Sequence, residues 1–138
     1  RTAVAKQKKR LDPRSGDQLT DWFFRNCLFV LNNIVARISK KENLRDPDRR
    51  WRKLDGLLLT ESDEVYLEAG LHINDRLVTL IHECLHILLP ETRENKILQL
   101  EKILWRRFTH DQKKIIKTYI PKHKVKKGPP PSNARDTQ

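Results

Sequence analysis

The chain has 138 residues, 37% of them hydrophobic, and a formal net charge of +11. This length predicts one compact domain and is too short for two ordinary ones. No segment approaches the roughly 18–20 uninterrupted apolar residues that a bilayer crossing needs, and the N-terminus has no apolar secretory stretch, so we expect a soluble protein without a membrane partner.

The two cysteines, Cys27 and Cys84, stand alone in apolar helical contexts. Two such residues do not form a disulfide framework, and they are typical of a reducing compartment. We therefore expect a cytoplasmic protein.

The positive charge is concentrated at the two ends of the chain. Residues 1–14 contain six Lys or Arg against one Asp, and residues 121–138 contain five against one. Both ends are poor in large apolar side chains, and we expect mobile basic tails flanking a domain at residues 15–120. The tails either keep the domain soluble or recruit nucleic acid or an acidic partner, and the sequence leaves both interpretations open.

The first predicted element is a long amphipathic helix over residues 15–41, SGDQLTDWFFRNCLFVLNNIVARISKK, whose apolar residues recur at helical spacing up to Ile38. Ser15 or Asp17 can cap its start, and Lys40 and Lys41 suit the negative end of a helix dipole. A charged loop over residues 42–53 follows.

The hydrophobic period then changes to that of short strands. Residues 57–60 and 65–67 are apolar runs on either side of the polar ESDE, which predicts a small antiparallel pair. Asn74 or Asp75 can cap the next helix, which is apolar almost all round and therefore central, and Pro90 ends it.

Two further helices complete the predicted α+β fold of a long N-terminal helix, a small antiparallel sheet and a helical hairpin. Thr92 is the expected cap of a helix that runs back antiparallel to the central one. A short last helix begins at Thr109 and stops at Pro121.

The central helix carries the sequence TLIHECLHILLPE at residues 79–91, with His82 and His86 four residues apart and Glu83 between them. Residues four apart lie on one face of a helix, so both imidazoles can point at a single ion. Zinc in a catalytic site takes three protein ligands and lowers the pKa of its water to about 7. Glu83 is placed to accept the proton of that water.

The alternative is a pair of hydrogen-bonded core histidines with Glu83 at a surface edge. Ionisable groups in so apolar a helix would be costly to bury without a partner or a metal, which favours the zinc interpretation. Cys84 faces away from the histidines and is expected in the core. The outside candidates for a ligand or an oxyanion contact are His72, His110, His123 and Tyr119.

The third ligand is expected from the following helix, where Glu94 and Glu101 share a face directed toward the hairpin interior. Side chains lean toward the N-terminus of their helix, which carries Glu101 toward the histidines and Glu94 away from them. We therefore prefer Glu101 and keep Glu94 as the alternative.

The segment RLVTLIHECLHILLPE, within residues 51–108, resembles the active-site region of zincin metallopeptidases, specifically minimal gluzincins of bacterial and phage type. The resemblance implies that His82 and His86 bind Zn²⁺, that Glu83 is the general base, and that a glutamate of the next helix completes the site. It also implies a small sheet whose edge strand lines the cleft.

The expected function is zinc-dependent cleavage of a peptide or protein substrate, in which Glu83 assists attack of zinc-bound water on the peptide bond. The alternative is a non-catalytic module on the same scaffold that binds nucleic acid or an acidic partner through its basic tails.

Overall fold

The computed structural model describes residues 10–122, which form an α+β fold as predicted. Four helices and three strands lie within this range: α1 (Gln18–Asn33), β1 (Arg37–Lys41), β2 (Gly56–Leu59), β3 (Glu64–Glu68), α2 (Ile73–Leu88), α3 (Glu94–Arg107) and α4 (His110–Lys117). None of the helices in this range is long and apolar enough to cross a membrane.

Helix α1 is shorter than the sequence indicated. Asp17 caps its start by accepting a hydrogen bond from the backbone N–H of Thr20, which is one of the two predicted caps. The helix ends at Asn33, whose side-chain amide donates to the carbonyl of Phe29 at 3.0 Å. The predicted continuation to residue 41 is wrong, and Lys40 and Lys41 belong to a strand.

Helix α1 ends early because the residues that follow it join the sheet. Residues 37–41 form β1, which pairs in parallel with β3 from Arg37 opposite Glu64 to Lys41 opposite Glu68. The ladder and the packing of Ile38 against the core stabilise a strand where local helical spacing alone favoured a helix. Strands β2 and β3 form the predicted antiparallel pair, so the sheet is mixed, with the order β1-β3-β2.

Strand β2 is an edge strand that lies very close to α2. A Cβ added to Gly56 would clash with the methyl group of Thr79 and would come within 3.1 Å of Glu83 Oε2. Only a residue without a side chain allows this approach. Gly56 therefore brings the edge of the sheet directly beside the motif-bearing helix.

Helix α2 is the central element of the fold, as predicted. It contacts α1, α3, α4, β2 and β3, and its apolar face is fully buried at Leu80 and Leu85. Cys84 is 1% exposed on this face, which confirms its expected place in the core. The motif residues on the other side of α2 therefore belong to a helix whose position is fixed by contacts with most other elements of the domain.

The helix caps only partly follow the sequence predictions. His72, and not Asn74 or Asp75, caps α2, because its ring Nδ1 accepts a hydrogen bond from the backbone of Asn74 at 3.2 Å. Helix α3 begins after Arg93 without a side-chain cap, so the prediction for Thr92 is wrong. Thr109 caps α4 in a full capping box with Gln112, as expected.

Part of the predicted N-terminal tail is held against the domain. The buried amide of Gln112 donates to the carbonyl oxygen of Pro13 at 2.9 Å, and the backbone N–H of Asp12 donates to Asp111 at 3.0 Å. Asp12 and Pro13 therefore contact the start of α4. The rest of the two predicted tails, residues 1–9 and 123–138, lies outside the described residues.

Candidate metal centre

Two histidines of α2 and one glutamate of α3 meet at a single point. His82 Nε2 and His86 Nε2 are 3.1 Å apart. Glu94 Oε1 lies 2.7 Å from the His86 nitrogen and 3.1 Å from the His82 nitrogen. The helical period stacks the two imidazoles, and the hairpin between α2 and α3 brings the carboxylate to them from the next helix.

The chemistry of these three atoms fits a metal ion. Zinc bonds of about 2.0–2.1 Å at tetrahedral angles separate neighbouring ligand atoms by about 3.3 Å, close to the observed distances of 2.7 to 3.1 Å. Electron pairs on three atoms this close repel one another unless a proton or a cation lies among them. Two imidazoles and a carboxylate form a donor set that zinc accepts.

Glu101 lies behind His82 and not at the point where the two histidines and Glu94 meet. Its Oε1 lies 2.7 Å from His82 Nδ1, the ring nitrogen that points away from Glu94. A carboxylate on Nδ1 holds the proton there and leaves the lone pair of Nε2 free for a metal, which is a common arrangement behind metal-binding histidines. Both side chains are 13% exposed, so solvent screens this interaction little.

Glu94, the alternative third ligand, and not the preferred Glu101, lies with the two histidines in the group of atoms that could hold a metal ion. Glu94 is the first residue of α3 and is 61% exposed, so no preceding helical turn restricts its side chain. It can fold back over the histidines although the average lean of helical side chains would carry it away. Glu101, about two helical turns further along a packed face, contacts His82 on the ring nitrogen that points away from Glu94.

Glu83 lies on α2 between the histidine face and strand β2. It is 8% exposed and lines the same cleft as His82 and His86. Burial raises the pKa of Glu83 to about 7, an effect that His82 opposes and that Glu94 and Glu101 reinforce. A carboxyl group in this state can both accept and return a proton near neutral pH.

His82, His86 and Glu94 line a cleft of about 1520 Å³. Its walls are the free edge of β2, the loop before that strand, and the facing sides of α2 and α3. The cleft is large enough for several residues of an extended peptide. Strand β2 and the two histidines therefore line the same cleft.

The outside candidates lie away from this point. His72 caps the start of α2, about 15 Å from His82 along the helix at a rise of about 1.5 Å per residue. His110 begins α4, and the hydroxyl of Tyr119 donates to Asn32 at 2.7 Å. His123 falls outside the described residues. None of the three described residues lines the cleft.

The sequence did not lead us to Gly56, which shapes the cleft beside Glu83. Gly56 permits the close approach of β2, and the only signal for it was a glycine at the start of an apolar run. Glu101 was predicted as a ligand, and its position behind His82 could have been inferred from the requirement that a metal-binding imidazole has a partner on its other nitrogen. Comparison of the chain with protein-family models, curated proteins and solved structures finds no match.

Proposed function

We propose that the protein is a zinc-dependent metallopeptidase. The observation that carries the proposal is the convergence of His82 Nε2, His86 Nε2 and Glu94 Oε1 within 3.1 Å of one another, at the floor of a large cleft. A metal in this position would be held by these three residues. Zinc supplies Lewis acidity, which lowers the pKa of water to about 7 and polarises a carbonyl group.

The chain's own groups supply the remaining steps. Glu83 accepts a proton from the attacking water and returns it to the departing amine, for which a pKa of about 7 is well matched. Glu101 holds the proton of His82 on Nδ1 and so fixes the ring orientation. The free edge of β2 can pair with the backbone of an extended peptide and align it beside Glu83.

The test is the variant Glu83→Gln, assayed with a quenched fluorescent peptide library after zinc loading. We expect wild-type protein to hold about one equivalent of zinc and to cleave peptides, because three protein ligands leave one position open. Glu83→Gln should keep the zinc and lose at least about 100-fold in cleavage rate, since it removes the proton acceptor.

Glu42→Gln is the matched control, because Glu42 is exposed and does not line the cleft. It should cleave at the wild-type rate. Cleavage by Glu83→Gln at that same rate would refute the assigned role of Glu83, and zinc-loaded wild-type protein without any hydrolytic activity would refute the proposed function.

A further inference from the structure

The cleft is lined mainly by acidic residues, whereas the whole chain has a net positive charge. The sequence contains 18 acidic and 29 basic residues. Eight of those acidic residues line the cleft, against only Arg52 and Lys53 among the basic ones. A divalent ion at the metal centre would cancel two of the negative charges. Most of the acidic character of the cleft would therefore remain with the metal bound.

Three of these carboxylates are available to a ligand. Asp55 lies directly before β2, Glu61 lies in the turn directly after it, and Asp75 lies in the first turn of α2. All three are exposed, and their carboxylates take part in no hydrogen bond or ion pair among residues 10–122. An extended chain along β2 would thus meet a carboxylate near each end of the strand.

The two basic residues do not neutralise this group. Arg52 lies 3.7 Å from Asp46 in its own loop, and that pair cancels locally. Lys53 is then the single remaining basic side chain against the other acidic residues of the described cleft wall. The charge imbalance is a property of the cleft and not of one short acidic segment.

A second observation also indicates a ligand that donates hydrogen bonds or carries positive charge. Glu83 is 8% exposed and faces the cleft, and its carboxylate makes no hydrogen bond within the described part of the chain. Burying such a group without a partner costs free energy. A cationic ligand in the cleft would lower that cost, as would the metal.

We propose that the preferred substrate of this cleft is an extended peptide segment rich in Lys and Arg, an inference that rests on the proposed peptidase function. Its backbone pairs with the free edge of β2, and its basic side chains lie against Asp55, Glu61 and Asp75. The rest of the protein is strongly positive and repels such a peptide. The attraction between such a peptide and the cleft must therefore act within about one Debye length, some 8 Å, of the cleft walls.

The experiment measures binding of three fluorescein-labelled synthetic peptides that share an apolar centre and carry Lys, Ser or Glu flanks. The full chain with Glu83→Gln and bound zinc serves as the receptor, so that no peptide is cut. We expect the Lys-flanked peptide to bind about tenfold more tightly than the Ser-flanked one, and the advantage to shrink when the salt concentration rises. Equal affinity of the Lys- and Ser-flanked peptides would overturn the proposal.

A pair of matched double variants locates the effect. Asp55→Asn with Glu61→Gln should reduce the advantage of the Lys-flanked peptide about fivefold, because exposed charge contacts contribute modestly. Glu42→Gln with Asp63→Asn removes the same two residue types from exposed positions that do not line the cleft, and it should change the advantage by less than about twofold. An equal loss in both variants would mean diffuse attraction and would overturn the proposal.

Cleavage assays separate this proposal from the peptidase function itself. If wild-type protein cuts the three peptides with the same kcat/KM, the peptidase function holds and the preference for basic substrates fails. If no peptide is cut while the Lys-flanked peptide still binds most tightly, the peptidase function fails and the cationic preference of the cleft stands.

Discussion

The two faces of α2 differ in what surrounds them. On one face Leu80 and Cys84 are at most 1% exposed and pack into the core. On the other face the side chains of His82 and His86 are 13% and 31% exposed and meet Glu94 from α3. The buried face therefore fixes the position of the helix in the core. The more exposed face holds the side chains of the candidate site. Substitutions on the two faces should therefore produce separable effects.

The largest effect is expected from the polar face. His86→Ala removes one of the three proposed ligands, and zinc content should fall from about one equivalent to near zero. The fold should persist, because the side chain of His86 is 31% exposed and contributes little to the core. Elemental analysis together with circular dichroism measures both quantities. Full zinc retention in a folded His86→Ala protein would contradict the assigned ligand set.

Substitutions on the core face should lower the stability of the fold and leave the zinc content unchanged. Leu80→Ala leaves a cavity at a fully buried position, and we expect a loss of about 2–5 kcal/mol in the free energy of unfolding. Zinc content of the folded fraction should stay unchanged. Ile103→Ala is the control, because Ile103 is 40% exposed and should cost much less. Denaturant titration of the two variants tests the difference, and equal losses would remove the distinction between the faces.

A finer comparison separates the two glutamates of α3. Glu101→Gln should weaken zinc binding about 10- to 100-fold, since it removes the carboxylate behind His82 and leaves the three proposed ligands in place. Glu94→Gln should weaken zinc binding further, because it removes a proposed ligand. Competition with a fluorescent chelator gives both affinities. The opposite order would restore Glu101 as the third ligand.

The smallest effect concerns the metal-free protein. Glu83→Gln replaces a carboxylate that is 8% exposed and lies near Glu94 and Glu101 by a neutral amide. Removal of the buried negative charge should raise the free energy of unfolding of the metal-free protein by about 1 kcal/mol. This change corresponds to an increase of about 4–8 °C in the melting temperature. Thermal unfolding in the presence of a chelator measures the change. A lower melting temperature than wild type would show that the carboxylate stabilises the fold.

The sequence predicted those parts of the molecule whose signals are local. The period of four between His82 and His86, the apolar surround of α2 and the antiparallel pair β2 and β3 could all be read from neighbouring residues. The cap at Asp17 and the capping box at Thr109 likewise depend on residues within one turn.

The features that the sequence did not predict depend on contacts between distant segments. Strand β1 exists because β3 offers it a pairing edge, and no residue near Ile38 carries that information. The choice between Glu94 and Glu101 depends on how tightly the chain turns between Leu88 and Glu94. Average side-chain directions do not apply to the first residue of a helix, which has no preceding turn to clash with.

X-ray absorption spectroscopy of the zinc-loaded protein tests the central claim most directly. We expect two imidazole nitrogens and one carboxylate oxygen at about 2.0–2.1 Å and no sulfur, with one imidazole lost in any residual zinc bound to His86→Ala. A spectrum with sulfur ligands, or one that His86→Ala leaves unchanged, would contradict a metal centre built from His82, His86 and Glu94.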